Sequence, residues 1–391
     1  MVDAASSMTS RQGAGRLWIL AGLLALGLYD GVFVVKWWEG AQLPPLGDFF
    51  AFWSFGRFAA IAGAKIYDTA ALVDYQRTLV PTLGGGYPYP YPPSFLLLLV
   101  PLGWMVLPAA YLCWIGGTFT LYVAATLGRH WRSLAGLALL TAPTTLISVI
   151  SGQNGLLSAA LLVGGLRSLP HLPILAGVLF GLLSFKPQLA LMVPVVLFAS
   201  RSIDALLAAA VTIVVFIAAS SAAFGGSIWL DWIQGFPGYR RLLENNQATL
   251  LHLMVTMPAG MDAVGAPMIA GYALQLVCAG IAVVLTWRVC ASGIGARATA
   301  MAILATVIVA PYVMIYDMPM VAAALAIYWR AHPPARLWEV ALVIALFTSF
   351  LNMIENVVPF AAAVLIFALF LVIAFARDAR SPGMLDPEVM P

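Results

Sequence analysis

The groups in this sequence best suited to chemistry are one carboxylate and one lysine in apolar surroundings. Asp48 lies among five aromatic residues in "PPLGDFFAFWSFGR" (44–57), and Lys186 lies in "SFKPQLAL" (184–191). A carboxylate can take a proton from a reacting group, and a lysine ammonium can hold an anion. Each also has a structural interpretation, because Asp often caps helices and lysines near a membrane extend their ammonium groups to water. Both interpretations stay open for each residue.

Other polar side chains lie in short segments between apolar runs. They occur in "SGQNG" (151–155), just after Lys186, and in "PYVMIYDMP" (311–319). The amides among them either bind a polar ligand or satisfy backbone groups that are freed at helix ends. The candidates in these segments are Gln153, Asn154, Gln188, Tyr316 and Asp317.

The composition identifies the elements that must position these groups as membrane helices. Hydrophobic residues make up 62% of the chain, charged residues make up 9%, and the mean hydropathy is +0.97. We therefore predict an all-α polytopic integral membrane protein with about 11–13 transmembrane or re-entrant helices, given that about 20 residues cross a bilayer. The whole chain, 1–391, forms a single domain in this prediction.

The charge and the cysteines exclude two further kinds of site. A net charge of +3 is too small to indicate a nucleic-acid partner. Cys113, Cys278 and Cys290 are far apart and lie in or beside apolar runs. We therefore predict neither a disulfide nor a metal site.

The basic residues predict how the chain is oriented in the membrane. If residues 93–127 cross the membrane once, six basic turns between residues 128 and 380 share a face with the N-terminus. That face then carries most of the 19 basic residues, so the positive-inside rule makes it cytoplasmic. The tails at 1–15 and 378–391 lie on this side in the same prediction.

The same topology places the remaining connections on the other side of the membrane. They include two long loops at 36–92 and 225–263, and they hold nearly all of the unusual polar residues. A purely structural membrane protein has no reason to sort its polar residues so sharply. The sorting indicates an active site at the outer face.

Five segments, taken in order, resemble one family of enzymes. They are "GDFFAFWSFGRFAAIAGAKIYD", "YPYPYPPSFLLLLVPLGW", "SGQNGLLSAALL", "AGVLFGLLSFKPQLALMVPVVL" and "AFGGSIWLDW". In this order they resemble the polyprenol-phosphate-mannose-dependent glycosyltransferases of family 87, bacterial membrane enzymes with a GT-C type fold. The resemblance implies inverting transfer of a sugar, usually mannose, from a polyprenyl-phosphate donor to a glycolipid or glycan acceptor. It places the reaction at the outer face of the cytoplasmic membrane, with no cofactor or essential metal.

The resemblance also assigns roles to individual residues. The family's catalytic base is an aspartate in the first outer loop, which here matches Asp48. Lys186 becomes a candidate for binding the donor phosphate, because cations stabilise the charge that accumulates there as the bond breaks. The amides at 153, 154 and 188 become candidates for binding sugar hydroxyls.

Two further segments keep competing interpretations. Tyr89 and Tyr91 in "YPYPYPP" (87–93) either flank a sugar or belong to an aromatic belt, with prolines stiffening the approach to the next helix. Arg240 and Arg241 in "PGYRRLLENNQ" (237–247) lie on the predicted outer side, against the positive-inside trend. They bind either membrane lipid headgroups or the donor phosphate.

Some features leave alternatives open. Asp30, inside the first apolar run, is a second candidate for the base. His252 is more typical of a residue at the membrane surface than of a catalytic group. Relatives often carry a histidine near Tyr316 and Asp317, and this chain has none there. The alternative function is a transporter or flippase of lipid-linked sugars or other small substrates, although the chain shows little intramembrane charge and no repeated halves.

Overall fold

A computed structural model describes residues 48–83, 86–245, 251 and 253–331, together with scattered helical residues between 20 and 35. Several predictions concern parts of the chain outside these described residues. They are the predicted roles of Asp30 and His252, the predicted helix over most of the first apolar run, and all predictions for residues beyond 331.

Helices dominate the described residues, and no β-strand occurs among them apart from one isolated bridge between Met254 and Met314. The α-helices with described bounds are, in chain order, α1 Asp48–Ala62, α2 Thr69–Leu79, α3 Leu96–Gly103, α4 Leu107–Leu127, α5 Leu134–Leu140, α6 Pro143–Ser151, α7 Gly155–Ser168, α8 Pro173–Leu182, α9 Met192–Ala199, α10 Ile203–Phe224, α11 Ile228–Asn245, α12 Met257–Ala263, α13 Met268–Cys290, α14 Ala296–Val309 and α15 Pro319–Ala331. Short 3₁₀ turns connect several of them, at Gly63–Tyr67, Pro93–Phe95, Gly128–His130, Leu183–Phe185, Pro187–Ala190 and Ile315–Asp317.

Three helices in the described part of the chain are long and apolar enough to cross a membrane. They are α4 with the turn that follows it, α10 and α13. The pair α5 and α6, bent by 43° at the break between them, gives a fourth span if it is counted as one. The remaining apolar helices are shorter, as the many short apolar runs of the sequence predicted. This architecture confirms the all-α polytopic fold class.

The stretch 93–127 contains two α-helices, because α3 ends at Gly103 and α4 begins only at Leu107. The short α3 packs across α1, and a Cβ at Gly56 would overlap the backbone of Leu99. Only glycine permits this close approach of the two helices. The longer α4 follows and is the candidate span. The number of membrane crossings made by 93–127 stays a prediction.

The helices differ in how far they are buried. Small side chains along α14 and α15, most of them alanine, are almost completely enclosed by neighbouring helices. By contrast, α10 and α13 expose many large aliphatic side chains, as expected for helices that contact lipid. The connection between α14 and α15 is therefore anchored in the protein interior.

The two ends of α4 have different chemical surroundings. Near its start, the indole of Trp114 donates a hydrogen bond to the carbonyl of Gly152 (2.9 Å). In its last turn, the backbone carbonyls accept hydrogen bonds from Arg167 and Arg330. Two of the basic turns of the sequence thus meet at one end of the helix bundle, and "SGQNG" lies at the other.

Candidate functional site

Three interrupted helix pairs contribute polar residues to the end of the bundle where α4 begins. The interruption between α6 and α7 carries Gln153 and Asn154, and the interruption between α8 and α9 carries Lys186. The interruption between α14 and α15 carries Tyr316 and Asp317. In membrane proteins, such non-helical backbone is tolerated where it is buried in protein or lines a cavity. Interrupted helices also form the binding sites of many transporters.

Asp48 is placed in this region by the start of α1. Gly152 ends α6 in the left-handed conformation (φ 67°), and a Cβ at this position would overlap the side chain of Phe49. The "SGQNG" turn therefore lies directly against the first residues of α1. This contact brings the Gln153 amide close to the Asp48 carboxylate.

The surroundings of Asp48 alter its acidity. Burial raises the pKa of the Asp48 carboxyl above its ordinary value, because the charged form loses hydration, and the hydrogen bond from Gln153 offsets part of that rise. A carboxylate with a raised pKa is a stronger base than an exposed one, and proton transfer is most effective when the pKa of the base approaches the working pH. The site therefore favours Asp48 as a proton acceptor.

Lys186 and Asp317 form a buried ion pair. The lysine Nζ lies 2.5 Å from Oδ1 of Asp317, and the two side chains are each 3% exposed. Oδ2 of Asp317 accepts a hydrogen bond from the backbone N–H of Met314 (3.3 Å). The ammonium group also lies 5.1 Å from the ring centroid of Tyr316. Sequence analysis identified both members of this pair without predicting that they meet.

Hydrogen bonds from four other parts of the chain fix the segment 310–319 that carries Asp317. Ser148 in α6 donates to the carbonyl of Tyr316 (2.9 Å), and Tyr122 in α4 donates to that of Pro319 (2.8 Å). The amide of Gln275 in α13 donates to Ala310 (2.8 Å). The backbone N–H of residue 255 donates to the carbonyl of residue 313. This segment is thus held from several sides before any ligand binds.

Tyrosine side chains surround the ion pair. Tyr316 interacts electrostatically with both Asp48 and Asp317, so it links the carboxylate of α1 to the buried pair. Tyr91, at the end of the proline-aromatic run, also lies close to Asp317. Tyr239 of α11 lies close to Tyr91 and Tyr316. Sequence analysis did not select Tyr239, because the adjacent arginine pair was the more conspicuous signal.

Asn154 is completely buried, yet its amide is not satisfied. The side chain approaches the hydroxyl of Tyr91, but neither its nitrogen nor its oxygen completes a well-formed hydrogen bond within the described residues. A buried amide without partners is costly unless a ligand or water supplies them. Asn154 is therefore the candidate amide best suited to bind a ligand.

The remaining candidate residues are less closely tied to this cluster. Tyr89 is buried and donates its hydroxyl to the carbonyl of Pro92 (3.0 Å), so its role here is to fix the proline-aromatic run. Gln188 is partly buried and makes no hydrogen bond to the cluster within the described residues. Arg240 and Arg241 lie in α11, and their side chains are outside the described part of the chain.

A substitution at Gly155 tests whether activity depends on the close packing of α7 against the backbone of Tyr316. A Cβ at this position would overlap the carbonyl oxygen of Tyr316, so Gly155→Ala must push the Asp317 segment away from α7. We expect this variant to lose at least about tenfold in activity, because a small misplacement of reacting groups is costly. Gly117→Ala in α4, where the added methyl group meets open space, is the matched control. Equal activities of the two variants in an assay of sugar transfer would contradict this close coupling.

The comparison with protein families decides the broader identity. The profile of glycosyltransferase family 87 matches residues 89–315, which is more than half of the chain. The chain belongs to glycosyltransferase family 87. It is a membrane glycosyltransferase, as the quoted segments predicted. Neither the curated proteins nor the solved structures contain a match to the whole chain or to part of it.

The family 87 match covers only part of the candidate site. It includes Tyr91, Gln153, Asn154 and Lys186, and it ends just before Tyr316 and Asp317. Asp48 lies outside the matched residues, 41 positions before they begin. The case for Asp48 therefore depends on its geometry and on the resemblance of "GDFFAFWSFGR", and not on the matched segment.

Proposed function

We propose that this protein is an inverting glycosyltransferase that moves a sugar from a polyprenyl-phosphate donor to a cell-envelope acceptor. Mannose is the first sugar to test, because the family that the quoted segments resemble usually transfers mannose. The reaction takes place at the outer face of the bacterial cytoplasmic membrane in this proposal. The acceptor is a glycolipid or a glycan.

Asp48 acts as the general base of the proposed reaction. The acceptor hydroxyl oxygen bonds to the anomeric carbon while the bond from that carbon to the phosphate oxygen breaks. Asp48 receives the hydroxyl proton, and the polyprenyl phosphate leaves with the bonding electron pair. One carboxylate is sufficient because a phosphate leaving group does not need the protonation that a glycosidase provides with its second carboxylate. The nearby Gln153 amide orients the carboxylate in this proposal.

Lys186 receives the donor phosphate. Negative charge grows on the phosphate as the glycosidic bond breaks, and a fixed cation in a water-poor site stabilises that charge more strongly than water does. Asp317 holds the ammonium group in place through the buried ion pair. The polar atoms of Asn154, which lack partners within the described residues, supply hydrogen bonds to sugar hydroxyls.

The observation that supports this proposal is that Tyr316, which lies beside the buried Lys186–Asp317 pair, also interacts electrostatically with Asp48, in a chain of family 87. In this proposal the anomeric carbon of the donor lies between the base and the phosphate-binding cation. No other titratable cluster in the described residues combines these two functions.

The proposal predicts transfer from a synthetic polyprenyl-phosphate mannose to an envelope extract from cells that lack the gene. We expect sealed right-side-out membrane vesicles to use acceptor added from outside without detergent, and inverted vesicles to require permeabilisation. Radiolabelled product is the measurement. The absence of transfer from any polyprenyl-phosphate sugar would contradict the donor class. Transfer by inverted vesicles alone would contradict the orientation.

A further inference from the structure

A shallow depression lies beside the proposed site, between α11 and the proline-aromatic run. Tyr67, Thr69, Tyr89, Trp232, Phe236 and Tyr239 line it, together with a proline and a glycine. The indole of Trp232 donates a hydrogen bond to the carbonyl of Pro90 (3.3 Å) and so fixes α11 against the run. This contact forms one wall of the depression.

The depression adjoins the candidate site, because the ring of its lining residue Tyr89 lies 5.9 Å from that of Tyr91. The side chain of Tyr239 lines the depression and also lies close to Tyr91 and Tyr316. A ligand in the depression would therefore lie beside the tyrosines that border the candidate site. Phe236, which is 45% exposed, stands at the outer margin and leaves the depression accessible.

The lining chemistry distinguishes a sugar from a lipid chain. Aromatic rings predominate, and none of the residues that line this depression is Leu, Ile, Val or Met. The hydroxyls of Tyr67 and Tyr89 already donate to the backbone carbonyls of Tyr91 and Pro92, so their rings serve as walls. The hydroxyls of Thr69 and Tyr239 make no hydrogen bond within the described residues.

We infer that this depression is the subsite for the acceptor, and that it holds a sugar ring of the acceptor against Trp232. A pyranose ring presents C–H groups on one face, which suit the negative face of an aromatic ring, and hydroxyl groups around its edge. Thr69 and Tyr239 bind edge hydroxyls. The polyprenyl chain of the donor lies elsewhere, because an isoprenoid chain would require an aliphatic lining. This inference rests on the proposed function.

The test compares two tryptophans of the same helix in the full-length protein. Trp229 lies three residues before Trp232 and also uses its indole in a hydrogen bond, to Ser220 (3.0 Å), but it does not line the depression. We expect Trp232→Leu to raise the apparent KM for the envelope extract about tenfold, while the KM for polyprenyl-phosphate mannose stays within about twofold. Trp229→Leu should leave both constants near those of the unmodified protein.

Trp232→Phe separates the ring from its hydrogen bond to Pro90. This variant keeps an aromatic face, so it should recover most of the affinity for the acceptor. Unchanged KM values in Trp232→Leu, an increase confined to the donor, or equal effects at Trp229 would each overturn the inference. If the unmodified protein transfers no sugar from any polyprenyl phosphate, the proposed function fails first, and the inference fails with it.

Discussion

Asp48→Asn is expected to lower the rate of sugar transfer by about 10²-fold or more, while the protein still folds and binds its donor. Asparagine has nearly the size of aspartate and keeps an oxygen that can accept the hydrogen bond from Gln153, but it cannot take the acceptor proton. The measurement is kcat with purified variants at saturating donor and acceptor. Near-normal turnover would remove Asp48 from the mechanism, and Asp30 would then be the next candidate.

The pH dependence and a second aspartate sharpen this test. Because burial raises the pKa of Asp48, activity should fall with decreasing pH at values above the titration range of an ordinary carboxyl group. The fall occurs because the base must be ionised to accept a proton, and the Asp48→Asn variant should lack it. Asp68→Asn is the matched control, since Asp68 caps α2 at its N-terminus (3.1 Å to Ala70). Asn and Asp cap helices about equally, so this control should retain full activity.

The second large effect is expected at the Lys186–Asp317 pair. Lys186→Met removes the cation that we propose binds the donor phosphate, and it should lower turnover by about 10²- to 10³-fold, which is typical when a group that stabilises developing charge is lost. The same variant leaves the Asp317 carboxylate buried without its partner. Breaking a buried ion pair on one side destabilises a protein by about 3–5 kcal/mol. A drop in thermal stability should therefore accompany the loss of activity in this single variant.

The double variant Lys186→Met/Asp317→Asn separates stability from catalysis. Asparagine keeps an oxygen for the Met314 N–H, and neither of the two substituted positions then carries a charge. We expect the melting temperature to return close to that of the unmodified protein, while sugar transfer stays lost. Lys65→Met, at an exposed lysine in the turn that follows α1, should change neither quantity. If the double variant regained activity, Lys186 would have only a structural role.

The sequence predicted the helical membrane fold and most of the interrupted helices from local signals. Short apolar runs around "KPQ" and "SGQNG" indicated breaks in the helices, and the structure places such breaks at both segments. The grouping of polar residues at one end of the bundle also followed from counting basic turns. These features depend on composition and spacing, which a single chain records directly.

The contacts within the site depend on how distant segments pack, which a single sequence does not record. The pairing of Lys186 with Asp317 joins residues 131 positions apart, through two turns whose relative placement is set by α7, α14 and α15. Tyr239 joins the site because α11 docks on the proline-aromatic run. The sequence signal for Tyr239 was weak, since an aromatic residue near a membrane surface is common.

The resting pairing of Lys186 also has a consequence for selectivity. Since Asp317 already balances the charge of Lys186, this lysine is not an unmatched cation for phosphate ions or nucleotides dissolved in water. A soluble anion would have to give up its hydration and compete with a carboxylate held in place by the protein. A phosphate carried on a membrane-embedded chain is concentrated at the bilayer surface and does not depend on charge attraction alone for its capture. In the proposed reaction, the ion pair would thereby select against dissolved phosphate and nucleotide anions before any sugar is bound.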